Sequence, residues 1–274
     1  MKFILSRKGF DSRCGGHPSP VLPDGTLLSL PIPEVNAQML AQESGCHYCQ
    51  LNLSNFPVNG CTCHLDPDIR PQLHKSLPPN WSAAFGQSGS SAKHLLNKDV
   101  KVGDLFLFFG LFQHWSSQRG FYDKPFHAVW GYMQIAEITD LQKDHESCRF
   151  FSWHPHTKPT LNDKSSQHVP NLLFKAEKHL SFAPELPGYG VFKYAPELQL
   201  TKQGERQVTH WDYKHLPWVD RHKTHDPHMS YHMENNLHPD YFQAVCRGQE
   251  FVIDESRSKI MLSYFEKLSS HIQK

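Results

Sequence analysis

Residues 103–112 read GDLFLFFGLF, and residues 127–138 read HAVWGYMQIAEI. Both stretches are almost continuously apolar and rich in aromatic or β-branched side chains. Such runs are typical of strands that are buried on both faces. We therefore predict two neighbouring strands at the centre of the fold. The polar and aromatic residues between them, 112–125, are expected to form a long loop, which either covers a site or is structural decoration.

The remaining chain predicts short elements around these strands. KFIL at 2–5 is a strand candidate, residues 76–91 resemble a loop, and SSAKHLLNK at 90–98 predicts a short helix with Leu95 and Leu96 facing inward. Asp226 before Pro227 is a good helix start, and residues 241–253 and 258–272 have apolar residues at helical spacing. The expected fold is α+β, a single compact domain over 1–274 with mixed and antiparallel sheets, C-terminal helices and a barrel-like subregion at 100–155.

Composition restricts the class of protein. The 28 basic and 27 acidic side chains nearly cancel, so any contact with a polynucleotide must come from a local patch and not from a global positive field. No apolar run approaches the roughly 20 residues that span a bilayer, which predicts no membrane partner. Seven cysteines, an odd number, suit reduced thiols or a metal better than a disulfide framework. We expect a cytoplasmic protein.

The first strand runs directly into SRKGFDSRCGG at 6–16. Short polar residues and glycines allow several backbone N–H groups to converge on one anion, and Arg7 and Lys8 add positive charge. The stretch therefore predicts a phosphate or carboxylate site. The alternative is a tight strand-to-loop crossing in which Asp11 only satisfies backbone groups. The sequence PDG at 23–25 is first of all a turn.

A second polar motif, CTCHLDPD, occupies residues 61–68. In an extended chain alternate side chains share a face, so His64, Asp66 and Asp68 could point the same way, as metal ligands or as an acid–base set. The alternative is a turn around the prolines, capped by Asp66.

The cysteine pattern predicts a possible zinc site. Cys46 and Cys49 form a CxxC pair, and Cys61 and Cys63 form a CxC pair shortly after it, a spacing that can close a tetrahedral thiolate site. Four unpaired thiols are the alternative. The histidines of WHPH at 153–156, His154 and His156, are a weaker metal signal.

Motifs along nearly the whole chain resemble the third nucleotide modification associated domain family. They are ILSRKGFDS at 4–12, GG at 15–16, PSP at 18–20, PDG at 23–25, SLPIP at 29–33, HLDPD at 64–68, FGQSGSSAKHL at 85–95, GDLFLFFG at 103–110, WGYMQI at 130–135 and GQEFV at 248–252. The two apolar strands are also similar to the hairpin of small PUA and EVE barrels, which hold a nucleotide or a flipped base.

The family resemblance implies the making or handling of modified nucleobases, with a nucleotide or nucleic acid as partner and other enzymes of a base-modification pathway nearby. It also implies a set of site residues. These are Ser6, Arg7, Lys8, Asp11, Gly15, Gly16, Ser19, Asp24, Gly25, His64, Asp66, Asp68, Gln249 and Glu250. The cysteine cluster is not part of the family pattern.

The leading hypothesis is an enzyme that acts on a nucleotide or a nucleic-acid base. Arg7 and Lys8 would hold a phosphate, with Ser6, Gly15, Gly16, Ser19, Gly25, Gln249 and Glu250 completing the binding site. Asp11, Asp24, His64, Asp66 and Asp68 would carry the chemistry, which requires their loops to converge. One alternative is a non-catalytic reader that stacks a modified base on Trp130, Tyr132 or Trp153. Another is a zinc-stabilised scaffold in a larger assembly.

Overall fold

The structure, a computed structural model, describes residues 1–11, 15–34, 46–58, 62–157, 169–245 and 250–273. The strands are β1 (Phe3–Arg7), β2 (Ser19–Val21), β3 (Ile32–Pro33), β4 (Cys46–His47), β5 (Thr62–His64), β6 (Ala84–Ser88), β7 (Leu105–Ser116), β8 (Gly120–Asp140), β9 (Asn171–Ala176), β10 (His179–Leu180), β11 (Ala183–Pro187), β12 (Tyr189–Val191), β13 (His210–Trp211), β14 (Phe242–Gln243) and β15 (Glu250–Ile253). The α-helices are α1 (Gly89–Asn97), α2 (His145–Phe150) and α3 (Ser258–Ser269).

The chain divides into two compact units. Unit 1 comprises Met1–Ser29, Gly103–Met133 and Gly190–Lys274, and unit 2 comprises Leu30–Val102 and Gln134–Tyr189. Both units are built from segments distant in sequence, and the chain passes from unit 1 to unit 2 within β8. The single domain expected from the sequence stays a prediction.

In unit 1, β1 lies between β15, to which it is antiparallel, and β7, to which it is parallel. The side chains of β1 from Phe3 to Leu5 are fully buried, which explains why this strand is apolar without alternation. β2 adds to β7 in parallel, and β8 is the next strand in the order of the sheet. Gly110 is required in β7, because a Cβ there would lie 2.5 Å from the backbone oxygen of Lys8.

Helix α3 covers apolar residues of unit 1. Its buried side chains Met261, Tyr264, Phe265 and Leu268 follow the spacing of three and four that the sequence shows. The ring of Phe265 packs edge-on against Tyr132, with 5.1 Å between the ring centroids. The helix predicted at 258–272 is therefore confirmed.

In unit 2, β6 and β9 are antiparallel, with Phe85 opposite Phe174, and β9 also pairs with the last residues of β8. A small antiparallel sheet has the strand order β3-β5-β4. Helix α1 follows β6 directly and buries Ala92 and Leu95. Leu96 is 50% exposed, so the prediction that it faces inward is wrong.

The α+β class, the mixed sheets and a C-terminal helix are confirmed, and the main sheet is curled as a half-barrel. The two central strands are also confirmed as neighbours. The prediction of a long loop at 112–125 is wrong. β7 continues to Ser116 and β8 begins at Gly120, so only a tight turn separates the two strands. Pairing in the sheet extends both strands into the polar sequence, where backbone hydrogen bonds do not require apolar side chains.

Three other predictions of local structure are wrong. Residues 84–88 of the supposed loop form β6, because β9, distant in sequence, supplies its hydrogen-bonding partner. Residues 241–253 contain β14 and β15 and no predicted helix in their described part, because β13 and β1 pair with them. Residues 226–231 form turns, in which the Asp226 carboxylate accepts hydrogen bonds from the His228 N–H (3.0 Å) and from Arg257 (2.7 Å).

Candidate functional site

Three histidines surround one buried carboxylate in unit 2. His64 is the last residue of β5, and Asp66 follows two residues later. His154 and His156 come from a turn that leads into a short 3-10 helix at Pro155–Thr157. The side chain of Asp66 is 4% exposed and that of His154 is fully buried, whereas His64 is 30% exposed. The cluster is therefore open to solvent on the His64 side.

The two oxygens of Asp66 have different neighbours. Oδ1 accepts a hydrogen bond from the Gly86 N–H at 2.7 Å and lies 3.3 Å from His154 Nε2. Oδ2 lies 3.7 Å from His156 Nε2. One oxygen is thus held by the protein, and the other faces an imidazole nitrogen at a distance too long for a direct hydrogen bond.

Hydrogen bonds assign the tautomers of both buried histidines. Asn171 donates its amide hydrogen to the backbone oxygen of His156 at 2.9 Å, which turns its carbonyl oxygen toward His156 Nδ1, also at 2.9 Å. His156 Nδ1 therefore carries the proton, and Nε2 presents a lone pair. In His154 the assignment is reversed, because Nδ1 accepts the His156 N–H at 3.3 Å and Nε2 carries the proton toward Asp66.

Gly86 in β6 allows the histidines to approach. A Cβ at this position would lie 2.3 Å from ring atoms of His156, which no side chain can tolerate without displacing the imidazole. The same residue donates its N–H to Asp66. Gly86 thus packs against the ring of His156 and donates a hydrogen bond to Asp66.

His64 completes the cluster together with Glu34. The rings of His64 and His156 are 5.1 Å apart and nearly perpendicular. His64 Nδ1 lies 3.9 Å from Oε1 of Glu34, a carboxylate that is 8% exposed. Among the described residues, His64, Asp66 and His156 are the set of three whose potential metal-ligating atoms all lie within 4.8 Å of one another.

Asp68 has contacts of its own. His74 Nε2 lies 2.9 and 2.8 Å from its two oxygens, and the indole N–H of Trp81 donates to Oδ2 at 2.9 Å. Burial lowers the pKa of the neighbouring Arg70 to about 10, and the negative charge of Asp68 opposes that shift. Alternation along an extended chain ends with β5 at His64, so Asp68 does not join the set that contains Asp66.

Partly exposed aromatic rings continue from the cluster. Trp153 contacts His154, with 5.5 Å between ring centroids, and also contacts Trp81 at 6.4 Å. Tyr189 lies edge-on to Trp81 at 6.2 Å. We call Trp81, Trp153 and Tyr189 the aromatic group. Trp130 and Tyr132, by contrast, are buried in the core of unit 1.

The predicted anion site lies in unit 1, and each of its cations faces a carboxylate. Arg7 forms an ion pair with Asp11 at 3.1 Å. Lys8 Nζ lies 4.0 Å from Glu250, which also accepts a hydrogen bond from the Ser6 hydroxyl at 3.1 Å. A phosphate at this place would have to compete with Asp11 and Glu250 for the two cations.

The glycines of the predicted anion site and Asp24, predicted to carry chemistry, have local structural contacts. Gly15 and Gly16 adopt φ of 98° and 81°, and a Cβ on Gly15 would lie 2.2 Å from the Phe10 ring. Asp24 accepts hydrogen bonds from the N–H and hydroxyl of Thr26 at 3.0 and 2.9 Å, and the backbone bond is the main cause that lowers its pKa. Gly25, with φ of 84°, completes this turn.

The remaining predicted residues are divided between the units. Ser19 is buried in β2, and Gln249 lies outside the described residues. Arg7, Asp11 and Asp24 belong to unit 1, whereas His64, Asp66 and Asp68 belong to unit 2. Convergence of all these loops on one site stays a prediction.

Cys46 and Cys63 are opposite each other across β4 and β5. Cys49 is exposed, and Cys61 lies outside the described residues. Burial, with smaller contributions from Cys63 and Cys46, raises the pKa of Tyr48, whose hydroxyl donates to the Pro31 oxygen at 2.6 Å. Zinc binding by Cys46, Cys49, Cys61 and Cys63 stays a prediction.

In the sequence His154 and His156 carry only a weak metal signal, and Glu34, Gly86 and Asn171 carry none. The WHPH motif contains the two histidines and the FGQ motif of the family resemblance contains Gly86, but their residues do not report the contact between them. Neither motif lies near His64 in sequence, so their meeting depends on the tertiary structure.

The fold and the cluster together define a class: an α+β protein with a histidine–carboxylate cluster whose side chains are chemically able to bind a metal ion or to exchange protons. The chain belongs to the family described as nucleotide modification associated domain 3, whose model matches residues 2–254. The family name indicates a role in nucleotide modification, which involves a nucleotide or a nucleic acid. Comparisons with curated proteins and with solved structures gave no match. None of the helices in the described ranges combines the length and apolar character that crossing a bilayer requires.

Proposed function

We propose that this protein is an enzyme that modifies a nucleotide or a nucleic-acid base, with Asp66 and His64 at the reacting centre. The observation that carries the proposal is the enclosure of one buried carboxylate by three imidazoles, with one of these imidazoles open to solvent. Buried groups that can exchange protons or bind a metal, placed beside an accessible histidine, are typical of active sites.

The roles follow from exposure. His64 is the histidine that a substrate can reach, so it is assigned as the group that touches the reacting atoms. Asp66 supplies negative charge beside it; the Gly86 N–H donates to Asp66, and His154 Nε2 lies 3.3 Å from the same oxygen. Asp11, Asp24 and Asp68 each have local partners that suit residues holding a loop, so we assign them no chemical step.

The aromatic group offers a place for the base. Trp81, Trp153 and Tyr189 are partly exposed, and Trp153 touches a histidine of the cluster. Stacking on such rings holds a base with little dependence on its identity. The reader hypothesis used Trp130 and Tyr132 in this role, and their burial in the core disfavours that version of it.

The test replaces Asp66 by Asn, which keeps the size of the side chain and its acceptor oxygen for the Gly86 N–H while removing the charge. Modified bases are measured in DNA, in RNA and in the free nucleotide pool of cells that carry wild type or variant. We expect modification to fall by about 10²–10⁴-fold, the contribution of a missing acid–base group.

The matched control is Asp212→Asn, a partly exposed carboxylate of unit 1 that accepts the Lys214 N–H. It should leave modification unchanged. Unchanged modification in Asp66→Asn, with loss of base binding in Trp153→Ala, would favour a non-catalytic reader and reject the enzyme.

A further inference from the structure

We propose that His64, Asp66 and His156 bind one divalent transition-metal ion, with Glu34 beside them. The ligand set is two imidazoles and one carboxylate, which suits zinc, iron or manganese; magnesium and calcium prefer oxygen ligands. The role of the ion in catalysis rests on the proposed function. The binding of the ion does not, because it is measured without a substrate.

The three potential donor atoms already lie close together, within 4.8 Å of one another. The lone pair of His156 Nε2 faces Asp66 Oδ2, because Nδ1 is committed to Asn171. Oδ1 of Asp66 accepts the Gly86 N–H, and Oδ2 lies on the side of His156 Nε2, at 3.7 Å. Ligands about 2.1 Å from a metal lie roughly 3.0–3.4 Å from one another. The present separations, within 4.8 Å, require only a modest contraction, and His64 at the end of its strand is exposed enough to make it.

The supporting residues match those of known metal sites. Metal-binding histidines usually donate their second N–H to a carbonyl or carboxylate, which fixes the ring and the tautomer. His156 donates its Nδ1–H in this way to the side-chain oxygen of Asn171. The Gly86 N–H orients the carboxylate of Asp66 by donating to Oδ1. Side chains that only face solvent do not need such hydrogen-bonding partners, so these partners support a metal site.

Glu34 is an independent indication of a cation. Its Oε1 is buried, and within the part of the chain that the structure describes it accepts no hydrogen bond. His64 Nδ1 lies 3.9 Å from this oxygen. A buried carboxylate oxygen without a hydrogen bond is costly. A divalent ion bound by His64 would bring positive charge to the side of the cluster on which Glu34 lies.

The experiment measures metal binding to the full chain. Protein purified without chelator is stripped with EDTA, dialysed and titrated with Zn²⁺, with Mn²⁺ and, without oxygen, with Fe²⁺; Co²⁺ serves as a spectroscopic probe. We expect one ion per chain at this site and a Co²⁺ spectrum without thiolate charge-transfer bands. His64→Ala and Asp66→Asn should abolish binding, and Asn171→Ala should weaken it by about 10–100-fold.

Two controls separate this site from others. His179→Ala removes an exposed histidine of β10 and should bind as wild type does. Cys46→Ser with Cys63→Ser removes the predicted thiolate site and should keep the ion at the histidine site. Circular dichroism checks the fold of each variant. If Asp66→Asn does not fold, His64→Ala, a change at a partly exposed residue, provides the test.

The outcomes are distinct. Unchanged affinity in His64→Ala, no binding of any of these ions, or loss of binding only in the cysteine variant would overturn the metal site. Base modification by fully stripped protein would also reject the metal role while leaving the proposed function intact. A bound ion in a protein that modifies no base would keep the site and reject the function.

Discussion

A buried histidine in unit 1, His127, has an unusual environment. The Trp211 indole N–H donates to its Nδ1 at 3.1 Å, so the ring is neutral and carries its proton on Nε2. Among the described residues, that Nε2 has no hydrogen-bond partner. Burial, followed by the positive charge of Arg7, lowers the pKa of His127 to about 3. The folded protein therefore resists protonation at a position where the unfolded chain accepts it.

The pKa of His127 predicts how stability depends on pH. Below the ordinary value of 6.5 the unfolded chain binds a proton at this residue, whereas the folded chain does not until about pH 3. The free energy of unfolding should therefore fall as the pH drops through this window, by up to about 1.4 kcal/mol per pH unit from this group. Denaturant titrations of wild type and His127→Gln at several pH values measure the difference, because Gln can still accept the Trp211 hydrogen bond.

A shallower pH slope in His127→Gln than in wild type is the expected result. His179→Gln, a change at an exposed histidine, should keep the wild-type slope. Equal slopes in wild type and His127→Gln would show that His127 takes up its proton equally well in the folded state.

At the scale of elements, strand pairing overrides the local apolar pattern in one segment, whereas in another segment the local pattern alone decides the structure. Residues 241–253 have apolar residues at helical spacing. Their last four, 250–253, nevertheless form a strand that pairs with β1, and all four are buried. Helix α3 pairs with no strand, so its spacing of three and four decides its structure.

The packing of α3 predicts a large effect of one substitution. Phe265 is almost fully buried and contacts Tyr132 and Phe192. Phe265→Ala should lower the free energy of unfolding by about 3–5 kcal/mol, through lost apolar burial and the cavity that remains. Glu266→Ala, the next residue on the exposed face, should change it by less than about 0.5 kcal/mol. Chemical denaturation measures both, and equal effects would mean that α3 is not docked.

At the scale of the whole molecule, charge is balanced overall and also within the candidate anion site. The net charge is +1. Arg7 and Lys8 each face an acidic side chain, and so does Arg257, which lies 2.7 Å from Asp226. At the predicted anion site, a polynucleotide would therefore meet cations that already face carboxylates.

This balance predicts weak binding to non-specific duplex DNA with a shallow dependence on salt. With about two phosphate contacts, affinity should fall only about tenfold when salt rises from about 50 to about 200 mM. Fluorescence anisotropy with a labelled duplex measures the slope. A loss of about 10³-fold or more would instead indicate an extended basic surface, and Arg7→Ala and Lys8→Ala would then test whether these residues belong to it.

Much of the fold could be predicted from local pattern, but the candidate site could be predicted only in part. The runs at 103–112 and 127–138 are apolar because both faces of their strands are buried, so their sequence reveals them directly. His64 and Asp66 were found because they share a short motif. Asn171, Gly86 and Glu34 were not, since nothing in their neighbouring residues reports a contact with a distant histidine.

By itself, the sequence determined the two central strands, the C-terminal helix, the family and the pair His64 and Asp66. All of these depend on periodicity or on motifs that lie within a few residues. Only the tertiary structure decided that β15 is a strand, that Trp130 and Tyr132 are core residues, and that His156 joins Asp66 while Asp68 pairs with His74. The physical reason is that strand pairing and burial depend on partners far along the chain. The choice between neighbouring carboxylates depends on distances of a few ångströms, which no local pattern encodes.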